Sequence, residues 1–350
     1  MKIFISLSAL FLSLSLTAQT NTATWYLNDT SGNGIQTSSN TASGSVSVAM
    51  GVGTTASGQY STSMGVETTA SGGRSTAMGH QTEASGDFST AMGRETTASE
   101  YGSTAMGERT TASGYYSTAM GYYTTASGDF STASGEGTTA SGMISTAMGA
   151  GTTANGMFST AMGYFITASD RSSLIIGQHN LLGSTVTNSA TDFSLENTAF
   201  VIGNGTDLDN KSDALVVKFN GDATLAGNLN INSDARLKAN IISLGSTLSK
   251  LLQIDGKSYT MKKDESEKQK IGLLAQDIEK VFPELVSESH GVKSINYQGL
   301  VPVLINALKE QDAMMKEQDN RLSKQQSEID RLKNQEKRLE RLERLVAAMD

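Results

Sequence analysis

From residue 41 to 177 the chain repeats one pattern of small, polar and apolar positions every fourteen residues, as in "ASGQYSTSMGVETT", "ASGGRSTAMGHQTE" and "ASGDFSTAMGRETT". Gly51, Gly65 and each fourteenth residue on to Gly177 are glycine, and Ala56, Ala70 and each fourteenth residue on to Ala168 are alanine. Self-similarity at a fixed short period marks a solenoid. The glycines and the many Ser and Thr work against helix, since glycine costs ~1 kcal/mol relative to alanine in a helix interior. Alternation of small and polar residues with abundant threonine suits short strands. Within "STAMG" it puts Ser and Ala on one face, Thr and Met on the other. Each repeat thus predicts one coil: strand, glycine turn, strand, glycine turn. Stacked at ~4.8 Å, such coils make a rod on the order of 40 Å long.

One coil of this kind is expected to bury alanines, a methionine and little else. So small an apolar area does not offset the ordering of fourteen residues. Several rods packed along a shared axis would supply the missing core. The stripe from Met50, Met64 and Met78 through Met148 and Met162 suits that seam. Methionine stripes also bind copper(I), but the repeat phase accounts for this one without a metal.

Beyond the array, residues 197–232 carry short β-like runs at 199–202, 214–219 and 223–231, separated by "GNG" and "NGD" turn signals. "DLDNKSD" superficially resembles a calcium loop but lacks its glycine and distal glutamate, and reads as a polar turn. The pattern then changes to a helical period. "QKIGLLAQDIEKVFPELV" sets Leu273, Leu274, Ile278, Val281 and Phe282 at helical spacing with Pro283 as the stop. "GVKSINYQGLVPVLINALKEQ" reads as a strand ending near Tyr297 and a helix carrying Leu300, Val301, Leu304, Ile305 and Leu308. Pro302 falls in its first turn, where proline is tolerated. The apolar spacing runs on through Met315, Leu322, Ile329, Leu332, Leu339, Leu342, Val346 and Met349. This is a coiled-coil pattern with a phase slip near Leu339–Leu342.

Composition narrows the chemistry. The formal net charge of -8 argues against a general nucleic-acid binder, which needs clustered Lys and Arg. Cysteine is absent, so there is no disulfide framework, thiolate nucleophile or Cys-based metal site. His80, His179 and His290 share no ligand-like spacing, and neither metal nor cofactor is expected. The opening "MKIFISLSALFLSLSLTAQT" reads as a secretory signal peptide: Lys2, an apolar core at 3–16, and cleavage after Ala18. The apolar run is short of the ~20 residues a span needs, and no later stretch supplies one. With no cysteine near the cleavage point a lipid anchor is not expected either. The mature chain is expected to be secreted or at the cell surface.

Two resemblances rest on these residues. The array over residues 41–177 resembles the head repeats of YadA-like trimeric adhesins, a left-handed parallel β-roll in which three identical rolls interlock. Ser134 and Ile176 replace Met, and Glu100 and Asp170 replace a turn glycine, which implies slightly irregular coils. The resemblance implies a homotrimer and a host, matrix or glycan ligand for the head. Those adhesins end in a membrane β-barrel, for which this chain shows no counterpart.

The strings "SDARLKANI", "GLLAQDIEKVFPELV" and "INYQGLVPVLINALKE" resemble the endosialidase-type intramolecular chaperone domain over residues 233–311. The resemblance implies a domain that trimerises, guides folding of the β-rich stalk before it, and then cuts itself off before the serine of its S-D-x-R-x-K motif. Here the implied dyad is Ser233 and Lys238, and the implied cut lies between Asn232 and Ser233.

The chemistry is coherent on its own terms. With no cysteine, the nucleophile must be Ser or Thr. Ser233 Oγ stands beside the Asn232 carbonyl, to attack by an intramolecular acyl shift or through the geometry of a neighbouring subunit. No histidine is at hand as base. A lysine serves only when neutral, so its pKa must fall from ~10.4 towards ~7–8. Burial and the charge of Arg236 would push that way, whereas Asp234 would push the other way and is given a positioning role.

The fold class expected is therefore a mainly β, trimeric parallel β-roll solenoid, then an α+β chaperone domain ending in a trimeric coiled coil. The expected organisation is signal peptide 1–18, N-terminal segment 19–40, head 41–177, β-rich neck 178–232, chaperone 233–311 and coiled coil 312–350. The function expected is an exported homotrimeric fibre that processes itself. The alternative is a non-cleaving surface adhesin with a permanent trimer clamp. A polysaccharide-degrading fibre lacks a site, because Glu67, Glu95 and Asp129 occupy variable repeat positions and form no identifiable catalytic pair.

Overall fold

The computed structural model describes residues 26–27, 35–36, 39–181, 190–262 and 267–348. The expected signal peptide and Met349 lie outside them. The chain divides into two compact units, residues 1–230 and 231–350.

In the first unit ten five-residue strands, from Val48–Val52 to Leu174–Gln178, stack in parallel. Neighbours are in register by one repeat, so that Thr90 faces Thr104 and Met92 faces Met106. Ten two-residue strands, Thr41–Ala42 to Thr167–Ala168, form the opposing sheet. The alternation acts as expected: Ser103 and Ala105 point inward and are fully buried, while Thr104 and Met106 lie on the outer face. One expectation needs correction. The methionines are not core: Met148 and Met162 are 41% and 42% exposed, and each coil instead buries Ala, Ser and Thr. Four small side chains fill the interior of a fourteen-residue coil, and a methionine is too long to join them.

Close approach of the next coil favours glycine at two places in the repeat, and the first of them is glycine in every coil from Gly51 to Gly177. A Cβ on Gly107, which has φ +122, would stand 2.0 Å from the Gly121 carbonyl oxygen; one on Gly114 would stand 2.1 Å from that of Gly128. Glu100 occupies one such turn position, yet Thr104 keeps its register with Thr90 and Thr118. The next left-handed position then passes to Gly102, where neighbouring coils hold Phe88 and Tyr116 at φ +59 and +52. Asp170, the other substitution, is buried and accepts hydrogen bonds from Thr198 N and Oγ1 at 2.8 and 2.5 Å. It fastens the strand Thr198–Asn204 onto the last coil, where Ile202 faces Ile176. Asn180 closes the short-strand sheet by copying a missing peptide group: its Oδ1 accepts from Thr167 N at 2.8 Å and its Nδ2 donates to Thr167 O at 3.0 Å.

Strands Asp213–Lys218 and Ala223–Leu225 complete the neck in antiparallel pairing. Between the first two neck strands, Asp207 Oδ1 accepts from the backbone N–H of Asp209 and Asn210, so "DLDNKSD" forms a polar turn. The run expected to extend to residue 231 stops at Leu225. Its last ladder bond is Ala226 N to Ala214 O at 3.0 Å, and Leu229 and Ile231 face solvent with no strand beside them.

In the second unit, helix α1 (Leu248–Leu251) is followed by a hairpin of Lys257–Tyr259 with Lys270–Gly272. Helix α2 (Ala275–Val281), a hairpin of Val286–Ser289 with Val292–Ile295 and helix α3 (Leu300–Ala347) complete it. Ile278, Phe282 and Val303 form its small core, against which Leu251, Ile254, Leu273 and Ile295 pack. Leu273 and Leu274 lie just before α2 rather than within it, since Leu274 is its extended N-cap. Pro302 sits in the first turn of α3, where its missing N–H has no helical acceptor.

The close stacking predicts a sharp contrast between glycines. Gly107→Ala should destabilise the head by more than about 3 kcal/mol, through a clash with backbone that cannot move aside. At Gly137, φ +59, the nearest atom to an added Cβ is 3.9 Å away, and Arg109 and Tyr123 take the same conformation in earlier coils. Gly137→Asn should stay within about 0.5 kcal/mol. Guanidinium unfolding of the two variants checks both, and equal losses would refute the steric account.

Candidate functional site

The S-D-A-R-L-K motif lies at the start of the second unit. Asp234 is the N-cap of a 3-10 turn, Ala235–Leu237, and its Oδ1 accepts from Arg236 N at 2.9 Å. Leu237 N then donates to Asp234 O at 3.0 Å, and Lys238 N to Ala235 O at 3.1 Å. This single turn folds the chain back on itself. Extended, five residues would separate Ser233 from Lys238 by roughly 16 Å. Folded, Lys238 Nζ donates to Ser233 Oγ at 2.7 Å.

Asp234 and Arg236 are engaged with one another. Arg236 Nη2 lies 2.6 Å from Asp234 Oδ2, and its Nε 3.1 Å from each carboxylate oxygen. The guanidinium, and next the Arg236 backbone N–H, holds the Asp234 carboxyl below the usual carboxylate range; the carboxylate in turn raises Arg236. The Arg236 fork is therefore directed at Asp234, where it braces the turn. Asn232, Ser233 and Lys238 are all exposed. In this arrangement Lys238 Nζ is the donor and the hydroxyl the acceptor. Attack needs the reverse, with a neutral amine accepting the proton from Oγ.

Sequence reasoning missed two residues that hold this segment. Every residue from 231 to 246 is exposed, and Thr247 is the first buried one. Glu310 gathers Ser246 Oγ at 2.7 Å, the backbone N–H of Thr247 and that of Leu248 at 3.3 Å. Sixty-four residues separate Ser246 from Glu310, and no local spacing could have linked them.

The acids of the head are engaged along the rod. Glu67 accepts from Gln81 Nε2 at 2.7 Å, Glu95 pairs with Arg109 at 2.6 Å, and Asp129 accepts from Tyr115 N at 3.0 Å. Each partner lies one coil away, so the carboxylates brace the stack and do not converge. Aromatic rings stack likewise: Tyr101 on Tyr115 at 5.2 Å, and Phe165 on the buried His179 at 5.5 Å. Among the described residues no helix is long and apolar enough to cross a membrane.

Residues 42–68, 70–96, 98–124, 126–143 and 145–165 match the YadA head domain repeat, a family unit of two copies. Residues 233–287 match the chaperone of endosialidase. The chain thus carries YadA head repeats followed, in that order, by an endosialidase-type chaperone domain. No curated protein matches it.

Because Asp234 is held below its ordinary range, its contribution to the turn is complete at neutral pH. It is lost as pH falls through that lowered pKa, below about 4. Protection of the Arg236, Leu237 and Lys238 amides, taken relative to the intrinsic exchange rate at each pH, should therefore fall several-fold on acidification, and equally in Asp234→Ala at neutral pH. Identical exchange in that variant would show that the carboxylate does not hold the turn.

Proposed function

We propose that the protein is an exported homotrimeric fibre, adhesin-like in its head, whose C-terminal domain promotes trimerisation and folding and then releases itself by cleavage between Asn232 and Ser233. The observation that carries the reading is the 2.7 Å contact between Lys238 Nζ and Ser233 Oγ, beside the bond to be cut. Once neutral, Lys238 takes the proton from Oγ as it attacks the Asn232 carbonyl carbon. The Asn232–Ser233 C–N bond breaks, and the proton passes to the leaving nitrogen. Water then hydrolyses the resulting ester, leaving a carboxylate on Asn232 and a free amine on Ser233. The attacking hydroxyl belongs to the same chain in the acyl-shift route and to a neighbour in the other.

Trimerisation is supported by two apolar faces that one chain leaves open. One is the Thr/Met face of the roll, which varies little from coil to coil, Ser134 and Ile176 aside, while the turn residues vary. The other is the row along α3, where Met315, Leu322, Ile329 and Leu339 are 58%, 57%, 45% and 60% exposed. At 48 residues this helix is about 72 Å long, too long and too polar to be held by one small core. Assembly would exclude water from Lys238 and favour its neutral form. Cleavage then follows correct assembly, and loss of the folding aid leaves a product that unfolds slowly.

A second reading, a permanent trimer clamp without cleavage, has the exposure of Ser233 and Lys238 in its favour. Denaturing electrophoresis separates the two. Wild type should yield a 233–350 fragment, while Ser233→Ala and Lys238→Ala stay full length, with cleavage reduced by about a hundredfold or more. Intact wild type under folding conditions would leave the clamp as the function.

A further inference from the structure

The arm that carries Ser233 and Lys238 is tied to the rest of its unit by very little. Outside the bonds it makes within itself, one hydrogen bond joins residues 231–246 to the remainder among the described residues: Ser246 Oγ to Glu310 Oε2. Thr247 follows at once and is 2% exposed. Its N–H donates to Glu310 Oε1, and its hydroxyl donates to the Val303 carbonyl at 3.0 Å. Leu248 N–H adds a third donor to the same carboxylate. Thr247 makes no side-chain cap of its own, so Glu310 closes the start of α1 from another helix. Donors converging on this carboxylate, the Ser246 hydroxyl foremost, hold it below the usual range.

We infer that Glu310 is a positioning residue for the Ser233–Lys238 reaction: it is the side chain by which the assembling helix fixes the direction and length of the reacting arm. The inference rests on the self-cleavage reading. Between Lys238 and Ser246 lie seven exposed residues, and the eight steps from one to the other reach at most about 29 Å. Gly245, at φ +67 with no atom near its missing Cβ, gives the arm a pivot directly before the knot. Ile241 and Ile242, 67% and 85% exposed, give it an apolar surface to lay against a neighbouring copy. Without Glu310 the first fixed point moves from Ser246 to Thr247, whose hydroxyl still holds the Val303 carbonyl. The arm loses the bonds to Ser246 and to the Thr247 and Leu248 N–H groups that set its exit direction, and the productive arrangement forms less often. Loss of orientation lowers a rate even where every reacting group remains.

The test uses the full chain under folding conditions. Fragment release is followed by denaturing electrophoresis, and the trimer fraction and melting temperature are measured on the same samples. Glu310→Ala should release fragment about tenfold more slowly per assembled trimer, with trimer fraction and melting unchanged. Glu310→Gln keeps an acceptor oxygen at the same reach and should fall between that variant and wild type. Asp312→Ala removes a carboxylate that pairs only with Lys316 on the same helix, and should match wild type. Release by Glu310→Ala at the wild-type rate would overturn the positioning role while self-cleavage stood. A loss of cleavage that only tracks a loss of trimers would reduce Glu310 to a structural residue and overturn it equally. Wild type that never cleaves would remove the reaction itself, and the inference with it.

Discussion

Each coil of the head passes the next so closely that a Cβ added at its repeated glycines would run into neighbouring backbone. At Gly107 and Gly114 the neighbouring backbone oxygen already occupies the place, about 2 Å away. That distance is set by the backbone hydrogen bonds of parallel strands and cannot relax without breaking the ladder. Most of the head's character follows from it. Tight turns around a narrow interior are filled by Ala, Ser and Thr in most coils, with Ile166 and Ile175 inside the last ones, and the methionines lie outward. The rings and charges at the turns meet their equivalents one coil along, as Arg109 meets Glu95 and Tyr101 meets Tyr115.

A fold so poor in internal apolar area depends on surface that it leaves exposed. The Thr/Met face of the roll and the apolar row of α3 are both left exposed or half-exposed in one chain. The chaperone domain has a core of modest size around Ile278, Phe282 and Val303, yet it carries a helix of 48 residues. The two units therefore share one physical deficit, and assembly of copies would meet it in both.

The arm that carries Ser233 and Lys238 shows the opposite economy. It has no core, and its geometry comes from one capped turn and one distant carboxylate. The turn makes the Ser–Lys contact local and independent of the rest. Glu310 determines where that contact is held.

Much of this was legible in the sequence because it is periodic or local. The fourteen-residue period gave the coils, and the alternation in "STAMG" separated Ser and Ala from Thr and Met without saying which pair faces inward. The five-residue spacing of Ser233 and Lys238 could be closed by one turn. Tertiary structure decided what depends on residues far apart. It removed the methionines from the core, because the backbone spacing left no volume for them. It ended the last neck strand at Leu225, because pairing needs a partner that pattern alone does not supply. It directed Arg236 onto Asp234, and it joined Ser246 to Glu310 across sixty-four residues. Periodicity and spacing fix what a short stretch of chain can do by itself. Contacts between distant stretches depend on the volume and direction that only the folded chain provides.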